Sequence, residues 1–267
     1  MRVALTIAGS DSSGGAGIQA YLKTFQAHGV FGMSAVTAVT VQNTQKVFDI
    51  QEMEPRIVHD QITCLFDDAE IHAVKIGMVS STELIQAIAK ALKAVQPPAV
   101  ILDPVMISKS GYRLLNQDAQ FTLVHHLFPL SDVVTPNIYE AEALIDQKIT
   151  TVDEMKIAAQ KILKFGAKNV VVKGGHMGED QATDILYDGK EFKALESHRI
   201  ETKNTHGTGC TFASAIAANI ALGKVFFEAV TLAKAYITGA IEHSLAIGKG
   251  HGPTHHFYNL YAKAGMR

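Results

Sequence analysis

The sequence has little to cross-link it and little to hold it in a membrane. Its 267 residues include two cysteines, Cys64 and Cys210, too few for a disulfide framework and consistent with a reducing compartment, so a cytoplasmic protein is expected. Charge of either sign is not in excess: 24 Lys and Arg stand against 26 Asp and Glu, a net charge of -2. No basic field gathers a phosphodiester backbone, and nucleic acid is not an expected partner. Apolar runs are short. The opening MRVALTIAGSD meets an aspartate where a signal peptide would offer a small-residue cleavage site, PAVILDPVMI is cut by Asp103, and TFASAIAANIAL stops at Gly223. Neither a leader nor a membrane span is expected. Repeats, low-complexity tracts and long Pro/Gly/Ser linkers are also missing. With 47% hydrophobic and 19% charged residues, the chain is expected to fold as one domain over residues 1–267.

What is present is an alternation. Short β-branched runs at 3–8, 34–41, 72–77, 99–103, 132–135 and 169–175 alternate with segments such as GIQAYLKTFQAHG and STELIQAIAKALKAV, whose apolar residues recur every three or four positions. Strand–helix alternation implies an α/β fold with a mostly parallel central sheet, helices on both faces and ligands at the carboxyl edge of the strands. After Gly175, ATDILYDG and EFKALESHRI predict an antiparallel pair, making the sheet mixed, and two helices are expected from about 209 to 248. The tail GKGHGPTHHFYNLYAKAGMR reads as loop, with the adjacent His255 and His256 solvated there.

Two glycine clusters stand at strand–helix junctions, where helix N-terminal N–H groups hold anions. In the first, AGSDSSGGAGIQA, the stretch GAGIQA meets a loose dinucleotide fingerprint, but the position where an acid would hold ribose hydroxyls carries Gln42 and Asn43. A glutamine amide instead suits a flat heterocycle with adjacent donor and acceptor atoms. A P-loop, an H-E-x-x-H pair and a G-x-S-x-G elbow are all missing from the sequence, so an ATP site here is of another kind. In the second cluster, HGTGC, Gly207 and Gly209 permit a tight turn while a helix starting near Thr208 aims its free N–H groups at one point. The small residues of TFASAIAA let that helix lie close on the sheet. They do not account for Cys210, a thiol in the positive field of a helix N-terminus, which favours the thiolate and equips it to take a proton.

These segments resemble the ribokinase-like small-molecule kinases, and among them the hydroxymethylpyrimidine/phosphomethylpyrimidine kinases. The resemblance runs through ALTIAGSDSSGGAGIQA, GMSAVTAVTVQNT, VKIGM, DPVM, TPNIYEAE, VVKGGH, THGTGCTF and GHGPTHH, nearly the whole chain. It implies a ribokinase-like three-layer α/β/α architecture and ATP-dependent phosphorylation of 4-amino-5-hydroxymethyl-2-methylpyrimidine and of its monophosphate, in thiamine biosynthesis. It also implies Mg²⁺ as cofactor and a homodimer. By this resemblance Gly207, Thr208 and Gly209 cradle the transferring phosphoryl group, and Cys210, where most of the superfamily has an aspartate, activates the hydroxymethyl. Gln42 reads the aminopyrimidine edge, and Gly9, Asp11, Tyr21, Met78 and Val105 complete the substrate pocket. Asn137, Lys173 and Thr208 meet ATP, while Glu140 and Asp103 serve the metal and its waters. The segment 107–115 is implied to close over the ring. The family normally shows GIQADLKT; here Tyr21 takes the aspartate's place and is expected to offer stacking and a phenolic hydrogen bond instead. Tyr112 likewise stands where aspartate is commoner. Pyridoxal or pyridoxine kinase is the near alternative, disfavoured by Gln42 in VQNT, and a non-catalytic vitamin-precursor binder is the remote one.

Overall fold

The structure, a computed structural model, describes residues 1–106, 115–175 and 181–266. Most of the expected closing segment 107–115, with Tyr112, lies outside the described residues. The central sheet is built from β1 (Val3–Ala8), β2 (Phe31–Val36), β5 (Ala73–Ile76), β6 (Val100–Leu102), β7 (Val133–Val134), β8 (Asn169–Val172), β9 (Gln181–Tyr187) and β10 (Phe192–His198). Their order is β10-β9-β8-β7-β6-β5-β1-β2. From β2 to β8 every pairing is parallel, and β9 and β10 add antiparallel at one edge. This is the expected mixed, mostly parallel sheet.

Because successive side chains in a strand point to opposite faces, each strand feeds two cores. Leu5, Ile7, Val74, Ile76, Val100, Leu102 and Val134 face one side. There they meet α2 (Pro55–Asp68), α3 (Thr82–Val95), α4 (Gln117–His126), α5 (Ile138–Ile145) and α6 (Val152–Leu163) through residues such as Ile62, Ile88, Leu123, Ala141 and Ile162. Ala4, Ala73, Ile101, Val133 and Val171 face the other side. They meet α1 (Gly17–Ala27), α7 (Thr208–Ala221) and α8 (Phe226–Glu242) through Phe25, Phe212, Ile216 and Val230. Strands buried on both faces read as continuous apolar runs, which is why they were legible. Helix α7 is buried along its whole length from Thr211 to Asn219; its alanines and serine permit that close approach.

Two expectations are corrected. The run 34–41 is not one strand: it divides at Thr37, whose N–H reaches Ala8 O at 2.9 Å and whose hydroxyl reaches Met78 O at 3.0 Å. These bonds end β2 and release β3 (Ala38–Gln42) into a separate antiparallel ribbon with β4 (Val47–Glu52). The C-terminal tail is not solvated loop either. It carries α9 (Tyr258–Lys263), and His256 is 5% exposed with Nε2 3.1 Å from Thr211 Oγ1. Burial pushes the His256 imidazole down to about 4, so it packs as a neutral ring. Among the described residues, no helix is long and apolar enough to cross a membrane.

Candidate active site

The carboxyl edge of the sheet, where parallel α/β folds bind their ligands, opens into a cavity of about 880 Å³. Gly9, Asp11, Tyr21, Gln42, Met78 and Val105 line it, as do Asp103, Asn137, Glu140 and Lys173 and the whole stretch from Gly207 to Cys210. Residues expected to act together are thus brought to one place from the loops after β1, β5, β6, β7 and β8, the end of β3, the turn before α7, and helices α1, α5 and α7.

The two glycine loops are clamped by Asp11. Its Oδ1 accepts from the amide and hydroxyl of Ser13, and its Oδ2 accepts from the amides of Gly15 and Ala16. His206 Nε2 lies 2.8 Å from the same Oδ2. Burial alone would raise this carboxyl, but the hydrogen bonds from His206 and Ser13 outweigh it and hold it at about 2. Asp11, expected to contact substrate, therefore spends its oxygens joining one glycine loop to the other. Gly207 completes the junction. Its φ is +76°, and a side chain there would collide with Gly15 O, so both its handedness and its lack of a Cβ are required.

Beyond Gly207 the chain enters α7. Thr208 is tied back to Thr205 O through its hydroxyl at 2.8 Å, and Thr211 N bonds Gly207 O at 2.8 Å. Among the described residues, the amides of Gly209 and Cys210 find no protein acceptor. Unsatisfied donors at the positive end of a long helix make an anion site. Cys210 Sγ accepts from the Tyr21 hydroxyl at 3.4 Å. Gln42 ends β3 across the cavity; its backbone pairs with Ser12 Oγ, and its side-chain amide takes no partner among the described residues. Gly9 and Met78 touch, a Cβ on Gly9 falling 2.6 Å from Met78 Cε, which leaves a narrow apolar wall beside Gln42.

The other flank is charged and buried. Asp103 follows β6 and accepts from Lys173 Nζ at 2.7 Å and from Thr135 Oγ1 at 3.0 Å, while Lys75 Nζ lies 3.9 Å away. Burial would raise the Asp103 carboxyl, but the two lysines pull it below the usual carboxylate range. Burial works the other way on Lys173, and Asp103 with Glu140 overcomes it to keep that amine protonated. Asn137 and Glu140 form a capping box at the start of α5: Asn137 Oδ1 accepts from Glu140 N at 2.9 Å and Glu140 Oε2 accepts from Asn137 N at 2.8 Å. Burial lifts the Glu140 carboxyl to about 7 despite the nearby Lys173. A carboxyl raised by burial in this way is one that a further cation would favour as the anion. Mg²⁺ fits that need, because it is held by one or two carboxylates with waters and substrate phosphates. Among the described residues no group of three or more His, Cys, Asp and Glu converges as a closed protein cage; Asp103 Oδ1 is committed to Lys173 and Thr135, while its Oδ2 lies 3.9 Å from Lys75 Nζ.

Two residues of this site escaped the sequence reading. Lys75 is wholly buried beneath Tyr21, and its signal was a lone charge inside the apolar strand HAVKIG. His206 precedes the second glycine turn, and its partner, Asp11, is 195 residues away, a distance no local pattern spans.

Comparison with known proteins gives this geometry its relatives. The family model for phosphomethylpyrimidine kinase matches residues 11–255. A hydroxymethylpyrimidine/phosphomethylpyrimidine kinase of Rhizobium meliloti is 50% identical over 263 residues, covering 97% of this chain and 98% of the relative. Among solved structures, the phosphomethylpyrimidine kinase of Clostridium difficile superposes with a TM-score of 0.81 at 48% identity, covering 90% of this chain and 100% of that one. An ADP complex of Bacillus subtilis pyridoxal kinase superposes with a TM-score of 0.90 at 41% identity, covering 96% and 97%. The cavity sits on a ribokinase-like three-layer scaffold shared with these enzymes, and the chain belongs to the phosphomethylpyrimidine kinase family.

Proposed function

We propose that this chain transfers the terminal phosphoryl group of ATP to the hydroxymethyl oxygen of 4-amino-5-hydroxymethyl-2-methylpyrimidine, and in a second turnover to the phosphate of the monophosphate, for thiamine biosynthesis. The observation that carries the proposal is the convergence of Cys210 Sγ, the free amides of Gly209 and Cys210, and Gln42 on one cavity. In the first turnover the substrate O–H proton passes to Cys210 Sγ as the oxygen attacks phosphorus and ADP leaves. The amides at the start of α7 receive the negative charge that spreads over the transferring oxygens. Lys173, anchored by Asp103 at 2.7 Å, faces the same phosphates. Magnesium, held by Glu140 with waters and phosphate oxygens, supplies further charge neutralisation when bound. Gln42 presents its unpartnered amide to the ring, one donor and one acceptor for an aminopyrimidine edge. In the second turnover the acceptor is a phosphate oxygen, already deprotonated, and the thiol is not required for proton removal.

Pyridoxal is the second reading, favoured by the 41% identity to the Bacillus subtilis pyridoxal kinase. An assay of ADP release with hydroxymethylpyrimidine, its monophosphate and pyridoxal decides between them. We expect both pyrimidines to be consumed at least about tenfold more efficiently, the scale of one or two differential contacts; a preference for pyridoxal overturns the substrate assignment. We further read the β3–β4 ribbon as the contact with a second copy of the chain, since Val39, Val41 and Phe48 are 47, 58 and 56% exposed on it.

A further inference from the structure

Tyr21, on α1, lines the cavity and is otherwise enclosed by protein. It is 1% exposed, and its hydroxyl is 3.4 Å from Cys210 Sγ, linking α1 to the first turn of α7. Lys75 Nζ stands 3.5 Å from the ring centroid, inside the range of a strong cation–π contact. That amine is wholly buried and makes no hydrogen bond, its nearest counter-charge being Asp103 at 3.9 Å. A cation on the ring polarises the phenol and strengthens its O–H as a donor. The residue after β5 is Gly77, where any side chain would collide with the Tyr21 hydroxyl, so the fold keeps a space for that one oxygen. Burial, and after it the neighbouring Cys210, pushes the phenol well above its ordinary range. It keeps its proton to donate.

We propose that Tyr21 is the positioning residue of Cys210: its hydroxyl donates to Sγ and aims the sulfur at the cavity, with Lys75 supporting the ring from beneath. The proposal rests on Cys210 as the proton acceptor in the kinase reaction and adds to that role the group that positions it. Other charges face the pair: Asp11 after β1, Lys75 on β5, Asp103 after β6 and Lys173 after β8, with Glu140 on α5 acting on the two lysines. Among the described residues, only Tyr21 reaches Sγ with a hydrogen bond. Where the resembled family normally carries an aspartate at this place, this chain thus holds a neutral donor directed at the thiol.

Alkylation reads the thiol without nucleotide or acceptor. In a Cys64→Ser background, which removes the exposed second cysteine, the rate of iodoacetamide labelling at pH 7 reports Cys210 alone. We expect Tyr21→Phe, which keeps the ring on Lys75, to slow labelling about threefold to tenfold, the sulfur having lost the hydroxyl that donates to it and holds it toward the cavity. We expect kcat to fall by a similar factor, with KM for ATP and pyrimidine unchanged within about twofold. Gly77→Ala displaces the same hydroxyl from the opposite side and should also slow labelling with Tyr21 in place. Unchanged labelling in Tyr21→Phe at the parent's melting temperature overturns the proposal. So does a raised KM for the acceptor at constant kcat, which would make Tyr21 a substrate contact. Failure of the kinase reading shows elsewhere, as full turnover in Cys210→Ala or no ADP release by the parent, and leaves the labelling difference standing.

Discussion

Replacing Asp11 with asparagine separates the charge of this side chain from its shape. The carboxylate accepts five hydrogen bonds and is held at about 2 in the folded chain, against about 3.9 for an unfolded aspartate. A depressed carboxylate contributes stability above its unfolded value and loses it as pH falls toward the folded one. Wild-type stability should therefore drop by about 2 kcal/mol between pH 4 and pH 2 on this account, and Asp11→Asn should start lower at pH 7 and lack that step. Urea midpoints across the acid range check it. At Cys210 the expected loss is catalytic: Cys210→Ala should retain ATP binding by calorimetry and lose about 10² to 10⁴ in kcat for the alcohol acceptor. Unchanged turnover removes the proton acceptor from the mechanism. Cys210 stands out in the sequence as a thiol at the end of a glycine turn, although its side chain also packs on Ala8, Ala20 and Tyr21. The clamp does not stand out, because Asp11 and His206 are ordinary residues until the fold brings them within 2.8 Å.

Among the elements, the first turn of α5 sets stability against function. Burial holds Glu140 at about 7, well above an unfolded glutamate, so its contribution is fully present below about pH 4 and is lost as pH rises through 7. Glu140→Gln keeps the capping box, since glutamine also serves at that position. The variant should be at least as stable as wild type at pH 8, yet about 10- to 100-fold weaker in Mg²⁺-dependent activity. Thermal melts at pH 5 and 8 with a magnesium titration separate the two. Gly207→Ala should show the opposite, losing stability and activity together, because its Cβ has no space beside Gly15 O. Strand–helix alternation was legible here because parallel strands are apolar on both faces. The β3–β4 ribbon was not, since nothing local in SAVTAVTV shows that Thr37 bonds to Ala8 and Met78 and turns the strand out of the sheet.

For the whole molecule, ligand and partner should both register as stability or mass. Saturating ATP and Mg²⁺ at about 100 times the dissociation constant should add about 2.7 kcal/mol to the folded state, several degrees in melting temperature. If the ribbon carries the dimer, Val41→Lys should halve the mass seen by light scattering while leaving the sheet intact by circular dichroism. No motif displays that surface. The exposed valines of β3 read in sequence as one more buried strand, and only the structure shows that they have left the core.

Helix α7 also sets the order in which the molecule can be made. It covers strand residues such as Ala4, Ala73 and Ile101, synthesised long before it; the turn leading into it brings His206 to Asp11, and its first turn brings Cys210 to Tyr21 on α1. A nascent chain halted before residue 208 has one face of its sheet covered only by α1. Such ribosome-tethered intermediates should recruit chaperones, and the thiol, its tyrosine and the glycine clamp should come together only as synthesis nears its end.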